Sequence, residues 1–516
     1  MRGAQLTVGE LLLNSVIKFP NKTAVIFEER SYSFAQFNAR VNRLANGLLG
    51  MGFKRGDHIA VMLGNCSEIL EVMFAVAKNG MIAVPVSFRF VAAEVEYAVN
   101  QSDSQAFIVG EEFLDIVASA RPRLKAVSRF VAIASKPVQG MDDYEQLLAR
   151  SSDAEPEVRV CETDPWYIGY TSGTTGFPKG AIASHRARTL PALFVALEYG
   201  LRDTDVELMT MPLFHGNGIM FSLCGLILGN TVFIMRRFDA EGVLRAAHEH
   251  GVSYGSLVPT MYSMILNLPE ETKAKYNVGS MRVLISSSAP LLTKTKEEIL
   301  AFFPNAELNE FYGSTEAAPV TNLKHRDQMR KIRSVGQATF GCKVKLLDAE
   351  GSEVAAGEVG ELYCFSHAFE EYYKMPQATA DAFRGDWVSV GDMARMDEEG
   401  YFYIVDRKKD MIISGGENVY PTEIEEVLSH HPGVRELAVI GVPDEKWGEA
   451  VHAVIVPREG SGITVADIMA YCQGRLAGYK RPRSVEFVDS LPKNPTGKIL
   501  RRVIREKHWV GHEVKI

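Results

Sequence analysis

The first third of the chain alternates runs of apolar residues at helical and at strand spacing. Ser33 and Gln36 form a capping-box pattern, and the apolar positions that follow predict a helix that ends near Gly50. An apolar strand is expected over residues 59–63, a helix over 67–79 and a second strand over 82–86. Strands that are apolar on both faces and alternate with helices predict a mostly parallel sheet covered by helices.

The same alternation returns after residue 180, and the pattern then changes twice. The most apolar window, residues 218–229, is too short to span a bilayer and predicts a buried helix. From about Val335 the chain reads as turn-separated strands, which predicts a smaller β-rich subdomain. Beyond residues 408–410 the pattern is short and mixed, with a charged end.

These patterns predict an α/β protein with two domains. A large N-terminal domain, residues 1–408, is expected to contain layered, mostly parallel sheets with helices and the β-rich subdomain. A small α+β C-terminal domain is expected over residues 409–516. A length of 516 residues also favours more than one domain.

Composition and charge exclude some classes of function. The chain is 46% hydrophobic and 23% charged, with a formal net charge of −8, which disfavours a nucleic-acid-binding surface. Six scattered cysteines favour a reducing, cytoplasmic setting over a disulfide framework. Glu10 interrupts the apolar N-terminus, so it is a poor signal peptide, and no transmembrane segment is expected. The oligomeric state stays open, with a homodimer as one option.

The stretch YTSGTTGFPKG, residues 170–180, has the composition of a phosphate-binding loop. It is not a Walker loop, because Lys179 follows Pro178 and no Ser or Thr comes after it. Its glycines let backbone amides approach an anion, while its hydroxyls and Lys179 add donors and positive charge. A flexible Ser/Thr/Gly linker is the alternative, but an apolar strand directly before the stretch disfavours it.

This stretch resembles the signature of the adenylate-forming superfamily, which includes acyl-CoA synthetases, luciferases and peptide-synthetase adenylation domains. Four further motifs resemble those of the family in the same order, and together they cover most of the chain. They are FYGSTEAAP (311–319), WVSVGDMARMDEEGYFYIVDRKKDMI (387–412), SGGENVYPTEIE (414–425) and PKNPTGKILRR (492–502). The acyl- and aryl-CoA synthetase branch fits best.

The resemblance implies an ATP- and Mg²⁺-dependent ligase that joins a carboxylic acid to coenzyme A through an acyl-AMP. Thr315 would contact the α-phosphate, Glu316 would hold Mg²⁺, and Lys498 would bridge carboxylate and α-phosphate oxygens in the transition state. These residues and His215 are the expected catalytic set. The expected ATP-binding residues are Thr171, Ser172, Gly173, Thr174, Thr175, Gly176, Lys179, Ser288, Ala289, Pro290, Tyr312, Gly313, Thr315, Asp392, Arg407 and Lys498.

The resemblance also implies sites for the hinge, for coenzyme A and for the acyl group. Lys409 occupies the hinge position between the large domain and the small C-terminal domain, which the resemblance implies is mobile. An apolar, partly aromatic pocket would favour an aromatic or medium-chain acid; its expected lining is Phe214, His215, Phe221 and Met261. Glycines, an aromatic and two arginines would contact coenzyme A; the expected residues are Gly415, Gly416, Trp447, Tyr479, Arg481 and Arg483.

Three points leave alternatives open. Ser286, Ser287 and Ser288 stand where family members commonly have a glycine, which bears on the acyl pocket more than on the nucleotide site. An enzyme that loads a carrier-protein thiol, or a nucleotide-binding relative without catalysis, would share most of these motifs. The histidines of HEH, residues 248–250, point to different faces of a helix and are not expected to bind a metal.

Overall fold

The computed structural model of the protein describes residues 5–171, 178–366, 369–407, 410–414, 417–444, 446–493 and 499–509. No helix within these ranges is long and apolar enough to cross a membrane. The helices are α1 Val8–Lys18, α2 Phe34–Gly50, α3 Ser67–Lys78, α4 Ala92–Gln101, α5 Leu114–Ala120, α6 Tyr144–Ala149, α7 His185–Glu198, α8 Gly216–Leu228, α9 Ala240–His250, α10 Pro259–Leu266, α11 Glu270–Lys273, α12 Thr293–Phe302, α13 Pro376–Ala382, α14 Pro421–Ser429, α15 Val465–Cys472 and α16 Arg501–His508.

Two large sheets with parallel centres form the body of the N-terminal part. The nine-stranded sheet has the order β16-β15-β14-β13-β12-β10-β11-β1-β2. Its strands are β1 Thr23–Phe27, β2 Arg30–Ser33, β10 Val206–Met209, β11 Thr231–Ile234, β12 Tyr254–Leu257, β13 Val283–Ser286, β14 Glu307–Ser314, β15 Ala318–Leu323 and β16 Gln337–Ala338.

The eight-stranded sheet has the order β19-β9-β8-β4-β3-β5-β6-β7. Its strands are β3 His58–Met62, β4 Ile82–Pro85, β5 Ala106–Gly110, β6 Arg129–Ile133, β7 Asp142–Asp143, β8 Pro165–Thr171, β9 Lys179–Ser184 and β19 Glu371–Tyr372. Helix α3 contacts β1 of the nine-stranded sheet and both β3 and β4 of the eight-stranded sheet. All of its residues are buried, so α3 lies in the layer between the two sheets.

Two smaller sheets complete the fold. The β-rich subdomain is a six-stranded antiparallel sheet, formed by β17 Lys343–Leu347, β18 Val359–Phe365, β20 Phe383–Arg384, β21 Trp387–Val388, β22 Asp392–Met396 and β23 Phe402–Arg407. The C-terminal part has its own five-stranded sheet and apolar core, with β24 Ile412–Ser414, β25 Glu417–Val419, β26 Val434–Asp444, β27 Gly448–Pro457 and β28 Ser484–Phe487.

The predicted fold class is confirmed, with element limits that differ by one or two residues. The capping box of Ser33 and Gln36 starts α2 as expected, and α3 ends one residue before the predicted limit. The apolar window at residues 218–229 is the buried helix α8, which begins two residues earlier. The proposed domain boundary at residues 408–409 lies outside the described residues, so the division 1–408 and 409–516 stays a proposal.

A buried carboxyl group lies under α8. Glu207 of β10 accepts a hydrogen bond at 3.2 Å from the hydroxyl of Tyr254 in β12. A side chain at Gly225 of α8 would meet its Oε2 at 2.4 Å, so glycine allows this close packing. Its other oxygen, Oε1, has no hydrogen-bond partner within the described part of the chain. Burial raises the pKa of Glu207 to about 8, against the smaller opposing effect of the Tyr254 hydrogen bond.

We expect Glu207→Gln to stabilise the protein increasingly as pH rises. The unfolded carboxyl ionises near pH 4.3, whereas the folded one keeps its proton up to about pH 8. The folded state therefore binds more protons across this window, and stability falls by up to about 1.4 kcal/mol for each pH unit. Glutamine has no ionisable carboxyl group, so the variant does not show this fall in stability. Thermal unfolding at pH 5.5 and pH 8 measures the effect.

Glu249→Gln is the control, because Glu249 is an exposed residue of α9. The Tm gain of Glu207→Gln over Glu249→Gln should be larger at pH 8 than at pH 5.5. An equal gain at both pH values would contradict an uncharged Glu207 in the folded protein.

Candidate active site

The proposed phosphate loop connects two antiparallel strands of the eight-stranded sheet. Thr171 at the end of β8 lies opposite Lys179 at the start of β9, so the loop closes a hairpin. This places Lys179 at the root of the loop with its backbone fixed in the sheet. The predicted loop residues Ser172, Gly173, Thr174, Thr175 and Gly176 lie outside the described residues.

Lys179 belongs to a chain of contacts that ends at Glu316. Its Nζ lies 4.9 Å from the ring centroid of Tyr372, which is on β19, the neighbouring strand of β9. The Tyr372 hydroxyl donates a hydrogen bond of 2.7 Å to Oε1 of Glu316. Burial and the carboxylate raise the pKa of Tyr372, so the hydroxyl keeps its proton and stays a donor. The contact joins two motifs that the sequence separates by 137 residues (316 − 179).

Glu316 and Thr315 lie in the turn that joins β14 to β15. Ser314 accepts a hydrogen bond of 3.0 Å from the backbone N–H of Ala317, which closes the turn. A side chain at Gly313 would lie 2.2 Å from the carbonyl oxygen of Ala318, so the hairpin requires glycine there. Glu316 is only 7% exposed, so its carboxylate needs the nearby donors and positive charges.

Arg188 supplies one of these positive charges. It is buried in α7, its guanidinium lies 4.8 Å from the ring centroid of Tyr167, and it donates a hydrogen bond of 3.5 Å to the carbonyl oxygen of Thr315. Burial lowers the pKa of Arg188, while Tyr167 and Glu316 act in the opposite direction. Guanidinium groups remain protonated in proteins, so Arg188 stays a cation. Its Nε has no hydrogen-bond partner within the described chain.

The expected nucleotide residues Tyr312 and Asp392 lie together. The Tyr312 hydroxyl donates a hydrogen bond of 2.5 Å to Oδ2 of Asp392. Tyr312 comes from β14 of the nine-stranded sheet and Asp392 from β22 of the subdomain, so this contact joins the two sheets. In the backbone register Asp392 of β22 lies opposite Arg407 of β23, and their shared role at the ribose stays a proposal. For Arg407 the structure describes the backbone only.

The predicted adenine wall, Ser288 to Pro290, follows the carboxyl end of β13. Ser288 has a φ of +69°, in the left-handed region that favours glycine. Asn217, in the first turn of α8, donates a hydrogen bond of 2.8 Å to the hydroxyl of the preceding Ser287. The wall is thereby tied to the helix that begins after His215. Ala289 and Pro290 complete the connection toward α12.

The proposed acyl-pocket residues come from two elements. His215 caps α8, and its Nδ1 accepts a hydrogen bond of 3.4 Å from the N–H of Asn217. Burial and the charge of Arg188 lower the pKa of His215 to about 4, so its imidazole is neutral near pH 7. Met261, on α10, accepts a hydrogen bond of 3.7 Å from the Thr210 hydroxyl.

Aromatic rings surround this region. Phe214 packs edge-to-face against Phe88, with ring centroids 5.0 Å apart. Phe221 is 1% exposed and lies between Tyr199 and Phe311, at centroid distances of 6.4 Å and 6.1 Å. Phe221 therefore packs in the apolar core on the buried side of α8.

The predicted coenzyme A residues lie in the C-terminal part. The guanidinium of Arg483 lies 5.3 Å from the ring centroid of Trp447, although 36 residues separate them (483 − 447). Tyr479 is 39% exposed, and Arg481 donates a hydrogen bond of 2.9 Å to the carbonyl oxygen of Leu476. The predicted Lys409, Gly415, Gly416 and Lys498 lie outside the described residues.

The sequence interpretation missed Tyr372, Arg188 and Phe88. Tyr372 and Arg188 contact Glu316 and Thr315 through the tertiary fold and lie in segments with no motif of their own. The sequence gives no signal that singles out Arg188, because the same helix contains the exposed Arg186 two residues earlier. Phe88 contacts the pocket from the loop after β4, which no local pattern marks.

Comparison with known proteins finds family models and relatives that together cover almost the whole chain. A family model described as AMP-binding enzyme matches residues 13–373, and one described as AMP-binding enzyme C-terminal domain matches residues 423–498. A feruloyl-CoA synthase from Amycolatopsis sp is 37% identical over 495 residues, which cover 95% of this chain and 96% of that protein.

Two other relatives extend this comparison. The fatty acid–[acyl-carrier-protein] ligase ScoC from Streptomyces coeruleorubidus is 33% identical over 502 residues, 95% of this chain and 94% of that protein. The crystal structure of the anthranilate CoA ligase AuaEII in complex with anthranoyl-AMP aligns with a TM-score of 0.92 and 27% identity, covering 98% of each chain.

We expect Ser288→Gly to stabilise the adenine wall. A left-handed conformation costs a residue with a side chain about 1–2 kcal/mol, and glycine adopts it freely, at some entropic cost in the unfolded chain. A Tm increase of about 1–3 °C should follow. Ser288→Ala is the matched control, because it keeps the Cβ and removes only the hydroxyl. An equal Tm for the two variants would show that the backbone is not strained at this position.

Proposed function

The chain belongs to the family of AMP-binding enzymes, and we propose that it joins a carboxylic acid to coenzyme A at the expense of ATP. The family and the class expected from the motifs, an AMP-forming acid–thiol ligase, are confirmed by the comparisons. The observation that carries the proposal is the chain of contacts from Lys179 through Tyr372 to Glu316. It links a cation, through one tyrosine, to the proposed metal ligand at the root of the proposed phosphate loop.

The proposed reaction has two steps. The carboxylate oxygen of the acid attacks the α-phosphorus of ATP, the bond to the β-phosphate oxygen breaks, and pyrophosphate leaves. The thiolate of coenzyme A then attacks the carbonyl carbon of the acyl-AMP, and AMP leaves. Catalysis of the first step consists mainly of positioning and neutralising phosphate charge.

Different described residues are proposed to contact the phosphates, the adenine, the ribose and Mg²⁺. Lys179 is proposed to neutralise the β- and γ-phosphates at the root of the loop. Tyr312 is proposed to stack on adenine while Asp392 accepts hydrogen bonds from the ribose hydroxyls. The buried Glu316 carboxylate is a hard oxygen donor of the kind that Mg²⁺ prefers, and Tyr372 fixes its orientation. Bound there, Mg²⁺ would offset negative charge on the phosphates.

The acid is proposed to be aromatic or of medium chain length. Phe214 and Phe88 form an aromatic pair beside the neutral His215, and Met261 adds an adaptable apolar side chain. An uncharged imidazole at this position accepts a nonpolar acid without burying a further charge. The names of the relatives include both an aromatic and a fatty acid, in agreement with either choice.

Free coenzyme A is the proposed thiol. Arg483 stacked on Trp447 presents a cation and an aromatic face together, which suits the adenine and phosphates of coenzyme A. The ScoC relative, whose name specifies a carrier protein, makes carrier loading the alternative. A cytoplasmic location and a homodimer also stay proposals.

A panel assay tests the proposed function. Pyrophosphate exchange into ATP is measured with aromatic, hydroxycinnamic, dicarboxylic and straight-chain acids, and thioester formation is measured with free coenzyme A and with a carrier protein. We expect exchange with aromatic or medium-chain acids and transfer to coenzyme A. Transfer only to the carrier would favour the alternative, and no exchange with any acid would indicate a nucleotide-binding protein.

Lys498→Ala should separate the two steps. The lysine is proposed to stabilise the transition state of adenylation only, so exchange should fall by at least about 100-fold, as for loss of one transition-state donor. Conversion of supplied acyl-AMP and coenzyme A to thioester should remain near the wild-type rate. Lys493→Ala, five residues earlier and paired with Glu436 at 2.6 Å, is the control. Equal loss in both steps would contradict the proposed role.

A further inference from the structure

Three side chains of metal-binding type converge in the C-terminal part, and none of them belongs to the residues proposed for ATP. His452 lies on β27, Glu486 on β28 and His508 at the end of α16. Oε2 of Glu486 lies 3.6 Å from Nε2 of His452 and 3.4 Å from Nε2 of His508. The three ligand atoms all lie within 4.8 Å of one another. They come from segments that are up to 56 residues apart (508 − 452).

We propose that His452, Glu486 and His508 bind one divalent transition-metal ion, with Zn²⁺ as the best fit. Two imidazoles and one carboxylate form a ligand set suited to zinc, and three protein ligands leave one tetrahedral position for water. Side chains of Glu486 and His508 are 44% and 27% exposed, so this position can open to solvent.

The surroundings of His452 favour metal binding through its Nε2 atom. It is 6% exposed, and its Nε2 has no hydrogen-bond partner in the described part of the chain. Its Nδ1 lies 2.7 Å from the hydroxyl of Ser484, which fixes the ring and leaves Nε2 facing Glu486. Metal-bound histidines commonly have such a partner on the second nitrogen, because it holds the ring in place. A buried, unpartnered nitrogen is otherwise costly.

The distances agree with a tetrahedral site. Bonds of about 2.0–2.1 Å from Zn²⁺ to nitrogen or oxygen separate neighbouring ligand atoms by about 3.3 Å. The observed separations of 3.4 Å and 3.6 Å are close to this value. The two imidazole rings are 4.7 Å apart at their centroids, so both can turn toward one ion. The ligand atoms of the two histidines lie within 4.8 Å of each other.

The consequence is a link between the end of the chain and the sheet of the C-terminal part. Helix α16 begins at Arg501, three residues after Lys498 (501 − 498), and packs on β26. An ion held by His508 and by two sheet strands would fix the end of this helix. The site would therefore stabilise the segment that follows the proposed catalytic lysine. This inference is independent of the proposed acid and acceptor.

Zinc titration of the chelator-treated full chain tests the proposal. A chromophoric competitor reports affinity and stoichiometry, and we expect one tight equivalent of Zn²⁺ with the wild type. Glu486→Gln and His508→Gln should each weaken this binding by more than about 100-fold, since even outer-shell changes at metal sites cost 10- to 100-fold. His430→Gln is the matched control, because His430 is an exposed histidine at the end of α14.

Two further readouts separate loss of binding from loss of folding. Metal-free Tm values of the variants report folding, and Zn²⁺ should raise the Tm of the wild type and of His430→Gln but not that of Glu486→Gln. Co²⁺ in the site should show tetrahedral d–d bands without a thiolate charge-transfer band, which excludes the six cysteines as ligands. No tight equivalent with the wild type, or unchanged binding by both ligand variants, would overturn the proposal.

Discussion

The burial of the Glu316 carboxylate is the constraint on which the site depends. A charged group that is 7% exposed is unfavourable unless hydrogen bonds and opposite charges surround it. Tyr372 supplies the hydrogen bond, and Arg188 contributes positive charge from α7. The Nζ of Lys179 lies 4.9 Å from the centroid of the Tyr372 ring. The residues that compensate this one carboxylate therefore come from the eight-stranded sheet and α7, and they meet at the β14–β15 turn.

The sequence predicted the architecture well because its signals are local. Capping by Ser33, the apolar run of α8 and the turn-separated strands after Val335 each depend on neighbours within a few residues. The same holds for the motif residues Tyr312 and Asp392, which the fold brings to within 2.5 Å. Motif resemblance predicted that both belong to one nucleotide site, while the hydrogen bond between them depends on how two sheets meet.

What the sequence did not predict depends on contacts between distant segments. Tyr372, Arg188 and Phe88 have no motif, and each gains its place only when separate elements pack together. The cluster of His452 and His508 was missed for the same reason, since neither residue has a second ligand at a recognisable spacing. His248 and His250 are close in sequence, but the geometry of α9 separates their side chains.

Charge is distributed unequally across the proposed site. Most charged side chains lie among the residues proposed for ATP, and the residues proposed for the acid are uncharged. The proposed phosphate side has Lys179, Arg188 and Glu316, whose charges can interact with a charged nucleotide and Mg²⁺. On the proposed acyl side His215 is neutral, because burial, and to a smaller extent Arg188, disfavours a second cation. Arg188 thus offsets the charge of Glu316 and adds to the effect of burial on His215. One buried guanidinium therefore acts on both the residues proposed for ATP and those proposed for the acid.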